Sequence, residues 1–309
     1  TITSDPRSIR AAIALMNQNA VIGGAAAHWG GPSAFTEINC ILFSIFFNKP
    51  SHNWYEDFNF INDAGHCENG IYAQHANYSF NNLNFNDLKG FRSIESKLTG
   101  HGEGHLYPEG VLVSNGPLGS AIPQAQGLCA SDRFKKNNRA TIVTISDGAI
   151  MEGEAKESLA AIPGLASKEK MNPFLLIVSD NDTKLSGRIS ADSFGQVGTY
   201  KSLEALGWGV SFEENGHCLE SLNKTVKNAL KTAQENILKP QVVIVKTIKG
   251  KGVKSTELSQ SGGHGYPLKA HDPNLKTFLD EIYEGQEIPA EFKSWVNEIA
   301  ELNNSNKNT

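Results

Sequence analysis

Thr141-Ile142-Val143-Thr144-Ile145 runs without a break into Ser146-Asp147-Gly148. A second apolar run, Phe174-Leu175-Leu176-Ile177-Val178, ends in Ser179-Asp180-Asn181-Asp182-Thr183. A third, Val242-Val243-Ile244-Val245, leads into Lys246-Thr247-Ile248-Lys249-Gly250-Lys251-Gly252. Short, β-branched, apolar on both alternating positions and stopped by small or polar residues, these runs read as strands buried on both faces, which is the habit of a parallel sheet. Between them lie helical patterns at Glu152 to Ile162 and at Leu219 to Ile237, the latter with apolar residues near 3.6 spacing. Alternating strand and helix predicts an α/β fold: a parallel sheet flanked by helices on both faces.

No internal repeat or Pro/Ser-rich linker interrupts the chain before residue 250. From Gly250 to Pro273 the composition turns to Gly, Ser, Lys and His, the mark of a long loop. The expected organisation is one α/β domain over residues 1–272 and a helical tail with a polar end over 273–309, its helical part at about Leu275 to Leu302.

The charge balance narrows the function. Of 309 residues, 28 are Lys or Arg and 33 are Asp or Glu, a formal charge of -5. Such a chain has no general attraction to nucleic acid or anionic membranes. The longest nearly apolar run, Cys40 to Phe47, falls far short of the roughly 20 residues that span a bilayer. The opening Thr1-Ile2-Thr3-Ser4-Asp5-Pro6 has no signal-peptide pattern. Four widely spaced cysteines without a CxxC pair read as reduced thiols. A soluble cytoplasmic enzyme or enzyme subunit is the expectation. The missing initiator methionine and the polar end suggest a piece of something longer.

In open α/β sheets, ligands bind at the carboxyl ends of the strands. Here those ends carry an acid with a glycine, an Asp-Asn pair and a basic glycine loop. Hard oxygen donors beside close backbone approach suit a magnesium ion that also holds a phosphate. Taken singly, each acid or amide is equally well a helix cap or turn former.

Together they are more specific. Asp147-Gly148, then Met151-Glu152-Gly153, then Asn181, 34 positions beyond Asp147, resemble the thiamine-diphosphate motif, with Ser146 in place of its first glycine. Further motifs follow in order: Asp87-Leu88-Lys89-Gly90-Phe91-Arg92, Ser96-Lys97-Leu98-Thr99-Gly100-His101, Gly116-Pro117-Leu118-Gly119 and His264-Gly265-Tyr266-Pro267-Leu268-Lys269. Over roughly residues 8 to 272 the chain is similar to the N-terminal, diphosphate-binding domain of the transketolase family. That resemblance implies thiamine diphosphate and Mg²⁺ as cofactors. Asp147 and Asn181 would bind the metal by side-chain oxygens and Thr183 by its carbonyl. Gly116 and Gly148 would present backbone N–H groups to the diphosphate, His66 and His264 would hydrogen-bond it, and Leu118 would touch the cofactor rings. His28, His101, His264 and Glu152 would be catalytic, with His28 and His101 lining the substrate funnel. Glu152 would join a carboxylate network linking two active sites of a dimer. His52, His75, His217 and His271 are expected to be structural or surface groups, and His105 belongs to an insert able to shape substrate choice.

The resemblance implies transfer of a two-carbon ketol unit between sugar phosphates of the pentose phosphate type. It implies a pyrimidine domain too, supplied by a C-terminal transketolase subunit or by the remainder of the same chain, in a homodimer or heterotetramer. Two alternatives stay open. Ser8-Ile9-Arg10-Ala11-Ala12-Ile13 and Thr247-Ile248-Lys249-Gly250-Lys251-Gly252 also resemble the decarboxylating component of homodimeric 2-oxoacid (pyruvate) dehydrogenases, and Asp147-Gly148-Ala149-Ile150 resembles deoxyxylulose-phosphate synthase. Ser146 and the altered histidine contexts fit a non-catalytic subunit that has kept the fold. A nicotinamide-binding domain is disfavoured, since no GxGxxG follows an early strand.

Overall fold

The computed structural model describes residues 4–49 and 52–305. Asn306 to Thr309, the last part of the expected polar end, lie outside the described residues. In chain order the elements are α1 (Pro6–Ile22), α2 (Gly30–Ala34), α3 (Thr36–Phe46), β1 (Phe58–Asn62), α4 (Glu68–Asn77), α5 (Ala121–Lys135), β2 (Ala140–Ser146), α6 (Gly153–Ala166), β3 (Phe174–Asp180), α7 (Ile189–Asp192), α8 (Val197–Leu206), β4 (Gly209–Glu213), α9 (Leu219–Glu235), β5 (Gln241–Lys246), α10 (Lys254–Glu257), α11 (Leu275–Ile282) and α12 (Ala290–Ser305). The strands form one parallel sheet in the order β1-β2-β3-β5-β4.

Register explains why the central strands read as unbroken apolar runs. Phe60, Ile142, Leu175, Ile177, Val243 and Val245 point to one face and pack with α3 and α9. The residues between them, Ile61, Val143, Ile145, Leu176, Val178, Val242 and Ile244, point to the other face and pack with α5, α6 and α8. Both faces are covered, so neither parity can be polar. Each fully buried Leu, Ile or Val adds about 1.5–3 kcal/mol of transfer free energy.

Two edge strands escaped the sequence reading. In β1, Phe58-Asn59-Phe60-Ile61-Asn62, two asparagines break the apolar pattern, yet both are buried and paired. The Asn59 amide donates to Asp132, and Asn62 Oδ1 accepts from the Thr144 hydroxyl at 3.1 Å. In β4 only Glu213 is buried and Phe212 is 57% exposed, so little apolar signal is required of it.

A third layer lies outside the sheet sandwich. Ile9, Ile13 and Met16 of α1 share a core with Leu275, Phe278 and Leu279 of α11 and Phe292, Trp295 and Ile299 of α12. α11 and α12 are therefore packed elements. Among the described residues no helix is long and apolar enough to cross a membrane.

Candidate functional site

Four histidines converge from distant parts of the chain. His28 and His264 meet because two loops pair: Trp29 N donates to His264 O at 3.2 Å, Gly30 N to Gly263 O at 2.8 Å and Tyr266 N to Ala27 O at 2.9 Å. The Asn17 and Asn69 amides both donate to the His28 carbonyl, fixing that loop from α1 and α4. His66 sits in the turn Gly65–Cys67, just beyond the carboxyl end of β1. The ring centroids of His28, His66 and His264 form a triangle with sides of 5.2, 5.1 and 5.3 Å, and His101 stands 6.4 Å from His28.

The rings are held neutral. Burial pushes His28 down to about 4, with Arg92 and His101 adding to it. Burial and the Lys249 ammonium push His264 down to about 4. Burial takes His66 well below its ordinary range and lowers His101 too. At neutral pH these groups serve as hydrogen-bond donors and acceptors, not as imidazolium charges.

The His101 loop is tied down by a buried polar network. Gly102 N donates to Asn115 Oδ1 at 2.7 Å, and the Asn115 amide donates to Glu68 Oε2 at 3.0 Å. The same carboxylate oxygen accepts from Asn62 at 2.9 Å. Gly65 must be glycine, because a Cβ there would lie 2.8 Å from His101 Cδ2 and 2.9 Å from Gly116 N. Gly116 adopts φ of +130°, which an L side chain rarely allows. Asp63 fixes the far end of the Gly116-Pro117-Leu118-Gly119 turn, accepting from Gly119 N and Ala121 N at 3.0 Å each. Leu118 on that turn is 40% exposed, and Glu152, at the start of α6, borders Gly119.

On the adjoining strand ends, Asp147 follows β2 and Asn181 follows β3. Asp147 is fully buried. Its Oδ1 accepts from Gly148 N at 2.9 Å, and its Oδ2 from Asn181 N at 2.9 Å and Asp182 N at 2.6 Å. Asn181 Oδ1 accepts from Thr183 N at 3.0 Å. Burial, helped by the Asp180 carboxylate, raises Asp147 despite these N–H donors. Ser146 does not disturb the turn: its hydroxyl accepts from Ala149 N at 3.3 Å. Beside Gly148 a Cβ would meet nothing within 4 Å, so the backbone there is open to a ligand.

These donors fit a small divalent ion. The carboxylate and the amide oxygen are hard, and each keeps lone pairs beyond the N–H bonds it accepts. Among the described residues no three of His, Cys, Asp and Glu cluster as a metal site. A cation here would draw on amide and carbonyl oxygens besides Asp147.

The match to known proteins decides the family. The family model "Transketolase, thiamine diphosphate binding domain" matches residues 6–308. The chain belongs to the transketolase family. It is 30% identical over 304 residues to the transketolase of Geobacillus stearothermophilus, covering 93% of this chain and 44% of that protein. It is 29% identical over 318 residues to that of Bacillus subtilis, covering 97% and 45%. Among solved structures, a transketolase of Pichia stipitis superposes with a TM-score of 0.72 at 24% identity, over 98% of this chain and 45% of that one. That of Campylobacter jejuni gives 0.68 at 23%, over 96% and 48%. This chain thus spans less than half the length of the relatives it matches. The oxoacid-dehydrogenase alternative is not favoured, because these relatives are transketolases.

Within this transketolase domain the structure gathers His28, His66, His101, His264 and Gly116 together, with Asp147, Asn181 and Thr183 on the neighbouring strand ends. Lys249 joins the two groups, donating to His264 Nδ1 at 3.0 Å and to the carbonyl of Lys184, next to Thr183, at 3.2 Å. The other histidines lie in structural or surface roles. His75 is buried against the Tyr107 hydroxyl at 3.1 Å, and His217 bridges Glu37 and Ile248 N. His52 pairs with Asp57, and His271 bonds Asn303. His105 is exposed beside Glu103. Sequence reasoning missed Asp63, Glu68 and Asn115, which act through loops that only the fold brings together. The signal for Asp63 and Glu68 lay in their flanking of His66.

Proposed function

We propose that this chain is the cofactor-binding half of a thiamine-diphosphate-dependent transketolase, transferring a two-carbon ketol unit between sugar phosphates. The observation that carries the reading is the meeting of four neutral histidines with the Asp147–Asn181–Thr183 oxygen set at the carboxyl edge of the sheet. Asp147, Asn181 and the Thr183 carbonyl hold Mg²⁺. Gly148 and Gly116 would offer N–H groups to the diphosphate, His66 and His264 would bond its oxygens, and Leu118 would touch the rings. Thiamine diphosphate, when bound, supplies the carbanion chemistry.

The protein's part is orientation and proton handling. His28 and His101, being neutral, donate N–H to substrate hydroxyls and to oxygen that gains charge. Glu152 beside Gly119 faces the second site of a dimer. The pyrimidine domain comes from a partner chain or from further sequence of the same protein, residues 1–272 form the diphosphate-binding unit with 273–309 as its tail, and the enzyme works in the cytoplasm.

Calorimetric titration of thiamine diphosphate, with and without Mg²⁺, tests this. Magnesium-dependent binding that disappears in Asp147→Ala supports the site; binding indifferent to both would sink it. In the complete assembly, xylulose 5-phosphate with an aldose acceptor is expected to be consumed, and pyruvate is not.

A further inference from the structure

A cavity of about 540 Å³ opens beside the edge strand β1, and neither the four clustered histidines nor Asp147, Asn181 and Thr183 line it. That volume is ordinary for a small-molecule site, roughly 300–1,000 Å³. Trp54, Phe58 and Phe80 give it aromatic walls, and Pro108 and Leu112, from the insert that follows His105, close another side. The insert is firmly anchored. Tyr107 is fully buried, its hydroxyl meets His75 Nδ1 at 3.1 Å, and its carbonyl accepts from Val111 N at 2.9 Å. A Cβ on Gly110 would run into the Tyr107 ring, so the chain turns hard against its own anchor. Phe80 is presented by a strained turn: Ser79 and Asn81 on either side of it have φ of +51° and +50°. Left-handed backbone outside glycine is uncommon and gathers at functional sites.

Two polar groups of this lining are unmet. Trp54 is only 8% exposed and stacks on Phe46 at 4.8 Å, yet its indole Nε1 finds no hydrogen-bond partner among the described residues. A buried N–H without an acceptor is costly, and a ligand that brings one removes the cost. Glu109 is exposed and forms no ion pair among the described residues. The cation of the lining, Arg139, is already matched, its Nε and Nη2 donating to Asp132 at 3.0 and 2.6 Å. Such a cavity suits a flat ring with an acceptor for Trp54 and a donor for Glu109. It has no use for a negative charge.

We propose that the cavity between Trp54, Phe80 and the Pro108–Leu112 insert binds an amino-substituted heteroaromatic base of the adenine class. The ring lies against Phe58 and Phe80, a ring nitrogen accepts from Trp54 Nε1, and the exocyclic amine donates to the Glu109 carboxylate. The inference goes beyond the transketolase reading and does not depend on it, since the two sites share no residue. Loss of one neutral hydrogen bond weakens such binding by about three- to tenfold.

The test uses adenosine as probe, titrated calorimetrically into the complete protein and into Trp54→Phe and Glu109→Gln, with inosine as the comparison ligand. Trp54→Phe keeps an aromatic ring against Phe46 and loses the N–H; Glu109 is exposed, so Glu109→Gln guards against a Trp54 variant that folds poorly. Inosine carries a carbonyl where adenosine has its amine, and so meets Glu109 acceptor to acceptor. The expected result is binding of adenosine, weakened by about three- to tenfold in each variant and by at least that much for inosine. The titration is repeated with saturating thiamine diphosphate and Mg²⁺, which should leave adenosine binding unchanged. Displacement by thiamine diphosphate would put adenosine in the histidine-lined site and overturn the inference. So would no binding of adenosine, or equal binding by Glu109→Gln and the unaltered protein. None of these results bears on whether the chain binds thiamine diphosphate.

Discussion

Glu68→Gln is predicted to stabilise the protein, increasingly as pH rises. The Glu68 carboxyl is 3% exposed, and its hydrogen-bond partners are the neutral Asn62 and Asn115 amides. Burial pushes it from 4.5 up to about 7. A carboxyl whose folded value is raised costs nothing below pH 4.5, where it is protonated in both states. The cost grows as pH climbs from 4.5 to 7 and is complete above that. At 1.36 kcal/mol per pH unit it reaches about 3 kcal/mol. Gln retains an oxygen for Asn62 and Asn115 and never ionises. Its extra N–H groups cost about 1 kcal/mol at every pH, so the slope with pH, not the offset, is the quantity to measure. At about 2.1 cal/mol/K per residue, 3 kcal/mol corresponds to roughly 4–5 °C in melting midpoint for a chain of this length. Thermal melts of both proteins at intervals from pH 4.5 to 8 decide it. A difference in midpoint that stays flat across that range would refute the reasoning.

Other substitutions probe the scaffold. Asp63→Ala strands the N–H groups of Gly119 and Ala121 in a buried setting; urea unfolding should show a loss of about 2–4 kcal/mol, and Asp63→Asn should recover part of it. Glu37 takes both Arg10 guanidinium nitrogens at 2.8 and 2.7 Å, with His217 at 2.9 Å, and is held down at about 2. Glu37→Ala should therefore cost about 3–5 kcal/mol by leaving Arg10 buried and unpaired. Because its folded value is lowered, the stability that Glu37 contributes is present above pH 4.5 and is lost as pH falls toward 2, which acid titration of the unfolding midpoint can follow. Gly30→Ala would place a Cβ 2.3 Å from the Gly262 carbonyl; it should cost about 1–3 kcal/mol and weaken thiamine-diphosphate binding by displacing the His264 loop, both readable in one calorimetric series.

The central strands were legible because burial on both faces demands apolar residues at every position, and Thr141 to Ile145, Phe174 to Val178 and Val242 to Val245 obey that demand. Edge strands face a weaker demand, and β1 and β4 hid accordingly. In β1 the buried asparagines are satisfied by Asp132 and Thr144, partners about 70 to 80 residues away that no local pattern reveals. The loop from Gly250 to Pro273 was legible by composition, with the short α10 set within it. That α11 and α12 close over α1 was not, because an amphipathic helix announces a buried face without naming what buries it.

The candidate site divides the same way. The acids and amides at strand ends could be found from sequence, since in a parallel sheet the carboxyl end of a strand is always the ligand edge. The amino-acid sequence alone determined the α/β class, the strand ends and the order of the family motifs. Only the tertiary structure decided that His28, His66, His101 and His264 stand in one cluster, and that Asp63, Glu68 and Asn115 hold its loops. It alone decided that Lys249 is buried against His264 instead of solvated at a strand end. The physical reason is that the sheet's edge collects loops from across the whole chain. Burial and charge at such an edge are set by neighbours distant in sequence, and no periodicity of 2 or 3.6 residues encodes them.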